Sequence, residues 1–330
     1  MLVDRHGRKI SYLRLSVTDR CNLRCFYCRS QKCWKFIPHP DILSYEEMFE
    51  LIGLSESLNV EKVRLTGGEP FVRRGFLSFL EKVVKAYPDL DLRITTNGTL
   101  LKDKIDALVD MGVTCLNISL DTMDRARFKE ITGRDFFPQV RQAIDTCLEK
   151  GLRVKVNSVA LKNVNHDELP AFVRFARDYP VDVRFIEFMP IGDKTRWSRE
   201  NYWSADEVME AAMAVEDMDP VPGTERNGGP ARIHTIRGGL GRFGVISAIS
   251  DHFCASCNRL RITSDGRLRT CLFSDREYKL RGILRSPRLG TDHLRRVISR
   301  ANEEKPLGAD LLEAKKQAGV CNRIMSSIGG

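Results

Sequence analysis

Six short runs rich in β-branched residues recur along the chain: "SYLRLSVT" (11–18), "EKVRLTGG" (61–68), "DLRITTNG" (91–98), "CLNISLD" (115–121), "RVKVNSVA" (153–160) and "VRFIEFM" (183–189). Segments with helical spacing separate most of them; in "SYEEMFELIGLSESL", Ser44 and Glu47 form a capping box ahead of an apolar face. This alternation predicts parallel βα units with right-handed crossovers, and so either a doubly wound sheet or an incomplete (βα) barrel. At 330 residues the chain is long enough for one large α/β barrel or for two domains. After about residue 220 the pattern gives way to Gly- and Pro-rich sequence with short strand-like pieces, read as a smaller C-terminal extension. The expected division is 1–220 and 221–330.

In both architectures the loops at the carboxyl ends of the strands build the active site. The unusual residues fall there. The first strand runs into a cysteine loop, the second into "TGGEP", the third into "TTNG", the fourth into "SLD" and the sixth into "FMP".

Ten cysteines without a secretion signal point to metal ligands, redox chemistry or buried thiols before disulfides. Cys21, Cys25 and Cys28 follow the spacing C-x3-C-x2-C, and Cys254, Cys257 and Cys271 follow C-x2-C-x13-C. A structural zinc site wants four ligands, for which Cys33 is a candidate in the first group and His252 or Cys321 in the second. Three thiolates on a 4Fe-4S cluster instead leave one iron open to a substrate or cofactor. Cys115 and Cys147 read as buried free thiols.

A net charge of +9 implies a polyanionic partner, without separating nucleic acid, nucleotide and membrane surface. The arginines are spread over strands and loops rather than blocked in a tail, which argues against a nucleic-acid-binding face. No apolar run approaches the roughly 18 residues of a membrane span, and "MLVDRHGRKI" lacks a signal-peptide core. The expected location is the cytoplasm. "GLGRFG" (239–244) satisfies a dinucleotide-binding string but opens no helix and precedes the strand-like "VISAIS", so it reads as a turn.

"CNLRCFYC" after a first strand and "TGGEP" after a second resemble the radical S-adenosylmethionine (SAM) enzymes. With "VRLTGGEPFVRR", "RFIEFMP", "FCASCNRLRITSDGRLRTCLF" and the terminal "SSIGG", nearly the whole chain resembles the GTP 3',8-cyclase family of molybdenum cofactor biosynthesis. The resemblance implies an incomplete (βα)6 barrel and two 4Fe-4S clusters, one on Cys21, Cys25 and Cys28 that binds SAM, and an auxiliary one on Cys254, Cys257 and Cys271. It implies that SAM is held by Tyr27, Gly67, Gly68, Glu69, Ser119 and Met189. GTP is then expected at Arg14, Lys62, Arg64, Thr95, Lys155, Arg184, Arg259 and Arg261, with Arg14 stabilising charge near the base and the Gly329–Gly330 tail needed for activity.

The residues support these assignments in part. Glycines admit close backbone approach and a carboxylate complements an ammonium, although a plain turn before Pro70 is the alternative. Paired guanidiniums are the natural clamp for the about four charges of a triphosphate; for any one basic residue alone a solvated surface charge is the favoured reading, and the assignment rests on their placement together. Two departures from the family pattern are the extra thiol of Cys33 and a spacing from Ser119 to Lys155 one residue short. The resemblance further implies an external one-electron donor, a downstream cyclic pyranopterin monophosphate synthase and a homodimer. Two rival readings are a peptide-modifying radical SAM enzyme with an auxiliary cluster and a zinc- and nucleic-acid-binding protein.

Overall fold

Alternation at period two decides the fold's inner and outer faces. The computed structural model describes residues 1–28, 36–192, 196–222, 229–315, 321, 323 and 325–328. A two-stranded antiparallel pair, β1 (Leu2–Val3) and β2 (Lys9–Ile10), stands apart from the main sheet. The six expected runs form β3 (Tyr12–Ser16), β4 (Lys62–Thr66), β5 (Asp91–Thr96), β6 (Cys115–Ser119), β7 (Arg153–Ala160) and β8 (Val181–Glu187). They lie side by side in chain order, all parallel.

Each crossover carries helix: α1 (Tyr45–Ser57), α2 (Phe76–Ala86), α3 (Ile105–Asp110), α4 (Arg125–Thr132) with α5 (Phe137–Glu149), and α6 (Leu169–Asp178). The α1 start has the expected reciprocal cap: Ser44 Oγ accepts from Glu47 N–H at 3.2 Å and Glu47 Oε2 accepts from Ser44 N–H at 2.6 Å. Helix residues such as Leu51, Leu80, Val140, Phe172 and Val173 are buried against Leu15, Leu65, Ile94, Val154, Val156 and Val183 of the strands. Each such side chain contributes about 1.5–3 kcal/mol. This apolar outer layer holds the fold together and leaves the other face of the strands free to be polar.

The chain beyond β8 adds strands to both edges of the same sheet. After α7 (Ala205–Met213) come β9 (Met218–Pro220), β10 (Arg232–Ile236) and β11 (Arg242–Ile246), with β11 parallel to β8. At the far edge β12 (Arg259–Ile262) runs parallel to β3 and is followed by the antiparallel β13 (Arg267–Arg269) and β14 (Tyr278–Lys279). The result is a mixed 12-stranded sheet. Among the described residues, α8 (Arg281–Leu284), α9 (Thr291–Glu303) and α10 (Gly308–Ala314) follow, and then a short 3-10 turn at Met325–Ser327.

"GLGRFG" is the turn between β10 and β11, but the strand starts earlier than "VISAIS" suggested, at Arg242. The physical reason is Gly244: a Cβ there would lie 2.5 Å from Ile233 Cδ1 and 2.7 Å from Arg232 O, so only glycine lets β10 and β11 pair. A Cβ on Gly241 would lie 2.3 Å from Val181 O and 2.6 Å from Ala176 O. Gly241→Ala is therefore expected to lower stability by about 2–3 kcal/mol in denaturant titrations. Gly282→Ala, where nothing lies within 4 Å, should stay within about 0.5 kcal/mol of the parent.

Candidate active site

The inward-facing side chains form rows across the strands. Arg261, Arg14, Arg64 and Arg93 are register partners on β12, β3, β4 and β5, with neighbouring backbones about 4.8 Å apart. The adjacent row reads Arg259, Tyr12, Lys62 and Asp91. Toward the carboxyl ends follow Thr95, Asn117 and Lys155, then Ser119, Asn157 and Arg184. All of these except Asp91 line a single cavity of about 390 Å³, a size typical of small-molecule sites.

Strands β4 and β8 are four positions apart in the sheet, about 19 Å if it were flat. Yet the charge of Arg64 depresses Arg184, and both line the cavity, so the sheet curls around it.

Like charges this close are uncomfortable. Burial lowers Arg14 to about 10, with Tyr12 opposing the drop and Arg64 and Arg259 adding to it. Burial and the charge of Arg64 bring Arg184 down to about 10 as well. Burial, Arg14 and Arg259 push Arg261 well below its ordinary value. Lys155 is lowered by burial and by Arg184. Arg184 is 8% exposed, and its Nε and Nη2 have no hydrogen-bond partner. Such a set is built to receive a polyanion.

At the carboxyl end of β3, the first cysteine loop is tied down on two sides. Arg24 N–H and Phe26 N–H donate to Thr132 O and Ile131 O at the end of α4, at 2.8 and 3.1 Å. Gly68 N–H and Glu69 N–H donate to Thr18 O and Arg20 O, both at 2.7 Å. A Cβ on Gly68 would lie 2.1 Å from Arg20 O, and Gly67 has φ +135° with its Cβ position 2.3 Å from Thr18 O. Both glycines are required so that "TGGEP" can seat the cysteine loop.

Leu23 N–H and Asn97 Nδ2 donate to Cys21 Sγ at 3.4 and 3.5 Å. Burial, Asp121 and the neighbouring Cys28 and Cys21 push the Cys25 thiol well up. Thiolates are costly together in such a setting, and bonding each to its own iron, as in an iron–sulfur cluster, offsets that cost.

The second trio sits at the opposite end of the strands, since Cys254 and Cys257 precede β12 and Cys271 follows the antiparallel β13. Burial alone would raise Cys257, but Arg259 and Lys305 outweigh it and bring the thiol down to about 6. Lys305 is 1% exposed and donates to Arg259 O at 2.9 Å and to Thr270 O. Arg8 reaches in from β1–β2, donating to Cys254 O at 2.9 Å and Lys305 O at 3.0 Å while paired with Asp4 at 2.6 Å. Any side chain at Gly308 would meet Cys271 Sγ and Cys254 Sγ at 3.2 and 3.4 Å, so this backbone is kept bare beside two sulfurs. Among the described residues no group of three His, Cys, Asp or Glu is arranged to enclose a single metal ion; ligands to different irons of one cluster need no such convergence.

Comparisons with known proteins agree with this geometry. Residues 15–176 match the radical SAM superfamily and residues 181–311 match Molybdenum Cofactor Synthesis C. The chain is 42% identical to the GTP 3',8-cyclase of Heliobacterium modesticaldum, over the full length of both chains. It is 39% identical to that of Thermodesulfovibrio yellowstonii, covering 99% of each. The chain belongs to the GTP 3',8-cyclase family. In fold it is similar to Streptococcus suis SuiB bound to S-adenosylmethionine, with a TM-score of 0.59 at 14% identity, covering 96% of this chain and 75% of that one.

Of the residues expected from the family, Arg14, Tyr27, Lys62, Arg64, Gly67, Gly68, Thr95, Ser119, Lys155, Arg184, Met189, Arg259, Arg261 and both cysteine trios line the one cavity. Glu69 does not. It is fully buried beneath the loop, where its carboxylate accepts from Asn97 N–H at 2.6 Å, Thr96 Oγ1 at 2.8 Å and Phe71 N–H at 3.1 Å. Burial raises it to about 7. Cys33, Gly329 and Gly330 lie outside the described residues. Cys147 is a buried free thiol as expected, and so is Cys115, which also borders the cavity.

Sequence reasoning missed several residues. Asp121 accepts from Tyr27 Oη at 2.5 Å and from Val159 N–H at 2.8 Å, orienting Tyr27 beside the first trio. Glu187, 1% exposed, accepts from Ala205 N–H at 2.8 Å, Ile249 N–H at 2.6 Å and Ser250 N–H at 3.0 Å, which fixes the loop leading to Cys254. A carboxylate inside the apolar run "RFIEFM" was the available signal.

Tyr12 is the other omission. Burial would raise its phenol, but Arg64 and Arg14 outweigh that and bring it down to about 7, and its Oη accepts from Arg64 Nε. The nucleotide-free protein should then show a tyrosine ionising near pH 7 by near-ultraviolet titration, absent in Tyr12→Phe. A bound anion neutralises the arginines and moves that ionisation up, so binding takes up a proton and anion affinity falls as pH rises through 7. A midpoint remaining at about 10 would contradict this.

Proposed function

We propose that this chain converts GTP to 3',8-cyclo-7,8-dihydro-GTP in the first step of molybdenum cofactor biosynthesis, using SAM. The observation that carries the reading is one buried cavity with a cysteine trio at each end of its strands and rows of arginine between them. Cys21, Cys25 and Cys28 would hold a 4Fe-4S cluster, which when bound would supply the electron that splits SAM into methionine and a 5'-deoxyadenosyl radical. Tyr27, Gly67, Gly68, Ser119 and Met189 hold SAM at that end, with Glu69 shaping the loop from below.

Lys62, Arg64, Thr95, Lys155 and Arg184 bind GTP through its phosphates, and Arg14, Arg259 and Arg261 bind it toward the second trio. Cys254, Cys257 and Cys271 would hold an auxiliary 4Fe-4S cluster, which would offer one iron without a protein ligand for the guanine. The 5'-deoxyadenosyl radical takes the ribose C3' hydrogen and becomes 5'-deoxyadenosine, the C3' radical bonds to guanine C8, and one electron, drawn ultimately from the external donor, with one proton completes the dihydro product. Because a primary alkyl radical takes the nearest hydrogen, the protein's work is positioning and exclusion of water. Arg14 stabilises charge at the base.

The curled sheet is read as an incomplete (βα)6 barrel formed by residues 1–220, which residues 221–330 complete with the auxiliary cluster and the Gly329–Gly330 tail. The reading includes a cytoplasmic homodimer, an external one-electron donor, and a cyclic pyranopterin monophosphate synthase as the next enzyme. Among the described residues no helix is long and apolar enough to cross a membrane.

The reconstituted, reduced protein should release 5'-deoxyadenosine from SAM anaerobically, and much faster with GTP; release indifferent to GTP would refute the substrate assignment. A second test uses the repulsion within the cavity. Arg184→Ala should raise KM for GTP about tenfold or more. The same change removes a buried guanidinium with two unmet N–H groups that Arg64 repels, so Tm of the nucleotide-free protein should hold or rise. A fall of several degrees in Tm would mean that Arg184 serves the fold instead.

A further inference from the structure

Beyond α10 the chain returns to the cavity. Cys321 is fully buried, forms a parallel bridge with Ile191 after β8, and accepts from Gly192 N–H at 2.8 Å through its carbonyl. Arg323 is anchored on the other side of the segment. Its Nη2 lies 3.3 Å from Asp265, between β12 and β13, and its Nε lies 2.9 Å from Glu277, just before β14. Both carboxylate side chains are only 11% exposed. Ile328 is fully buried in a small apolar cluster with Ile191, Phe273 and Leu312.

Between these anchors Met325 and Ser326 border the cavity. Met325 packs on the same cluster as Cys271 and Leu272, which puts this stretch beside the second cysteine trio. Ser326 is 3% exposed, and among the described residues its Oγ has no hydrogen-bond partner. A buried hydroxyl both donates and accepts, and leaving it unmet is unfavourable, so it calls for a ligand with polar groups at that point.

We propose that Ser326 is a substrate-contacting residue whose hydroxyl bonds the polar edge of the nucleotide base beside Cys254, Cys257 and Cys271, and that Arg323 is the positioning residue that holds it there through Asp265 and Glu277. The inference rests on the GTP reading above and adds a binding residue and its support to it. A purine edge with adjacent N–H and carbonyl groups matches a hydroxyl that can turn to serve either.

The test combines equilibrium binding of GTP and of SAM to the anaerobic, iron-loaded full chain with hydrogen exchange of the backbone at 325–328. Ser326→Ala should weaken GTP about three- to tenfold, leaving SAM binding and exchange unchanged. Arg323→Gln should speed exchange at 325–328 and weaken GTP at least as much. The double variant should bind no worse than Arg323→Gln alone, and Arg323→Lys should recover part of the loss. Unchanged GTP affinity in Ser326→Ala, or a loss confined to SAM, would overturn the contact. Unchanged exchange in Arg323→Gln would overturn the anchor. If the parent protein bound no GTP, the substrate reading and the Ser326 contact would both fall, while exchange alone would still decide whether Arg323 holds the segment.

Discussion

Mutual repulsion among buried guanidinium groups is the constraint around which the molecule is arranged. Arg261, Arg14, Arg64 and Arg93 stand opposite one another on four adjacent strands, and Arg93 is drawn to an acid of the neighbouring row, Asp91. Like charges directly opposite on neighbouring strands are destabilising. The sheet tolerates them because its other face is packed: Leu13, Leu15, Val63, Leu65, Ile94 and Leu116 are nearly or fully buried under the helices. Apolar burial on one face therefore sustains an unfavourable charge distribution on the other, and that distribution is what gives the cavity its preference for a polyanion.

The acids that lie near the cavity are used differently. Glu69, Asp121 and Glu187 take their hydrogen bonds largely from backbone N–H groups and hydroxyls. Burial raises Glu69 to about 7 and Asp121 to about 6. Each shapes a loop: "TTNG" for Glu69, the setting of Tyr27 for Asp121, and the approach to Cys254 for Glu187. Carboxylates committed to loop geometry do not neutralise the arginine rows. At the far end Lys305 and Arg259 favour the thiolate of Cys257, so one charge pattern serves both the anion and the cysteine ligands.

The parallel strands were legible because β-branched runs at period two, separated by helical spacing, admit few other topologies. The inward face was legible too: Lys62 and Arg64 on one face of a strand require a partner inside. Less could be read after residue 220. Strands of two to five residues such as β14 and β11 carry too little periodicity to place, and nothing local indicates that β11 and β12 join opposite edges of the sheet. Arg8, Asp121, Glu187 and Lys305 were missed for a related reason. Their partners lie as far as 297 positions away for Arg8 and Lys305 and 62 for Glu187 and Ile249, so nothing local names the partner, even where, as for Glu187, the apolar surroundings mark the residue as unusual. Glu69 shows the reverse case. Its motif was plain, but burial and three neutral donors give it a place under the loop rather than in the cavity.

The central claim is that the cavity holds GTP with its ribose C3' within reach of the radical formed at the first cysteine trio. The direct measurement is the fate of deuterium placed at C3' of GTP during anaerobic turnover, read by mass spectrometry of the 5'-deoxyadenosine released. Transfer of the label into 5'-deoxyadenosine, with loss of that label from the cyclised product, is the expected result. Unlabelled 5'-deoxyadenosine from a reaction that still consumes GTP would contradict the account, because hydrogen would then be taken from another position.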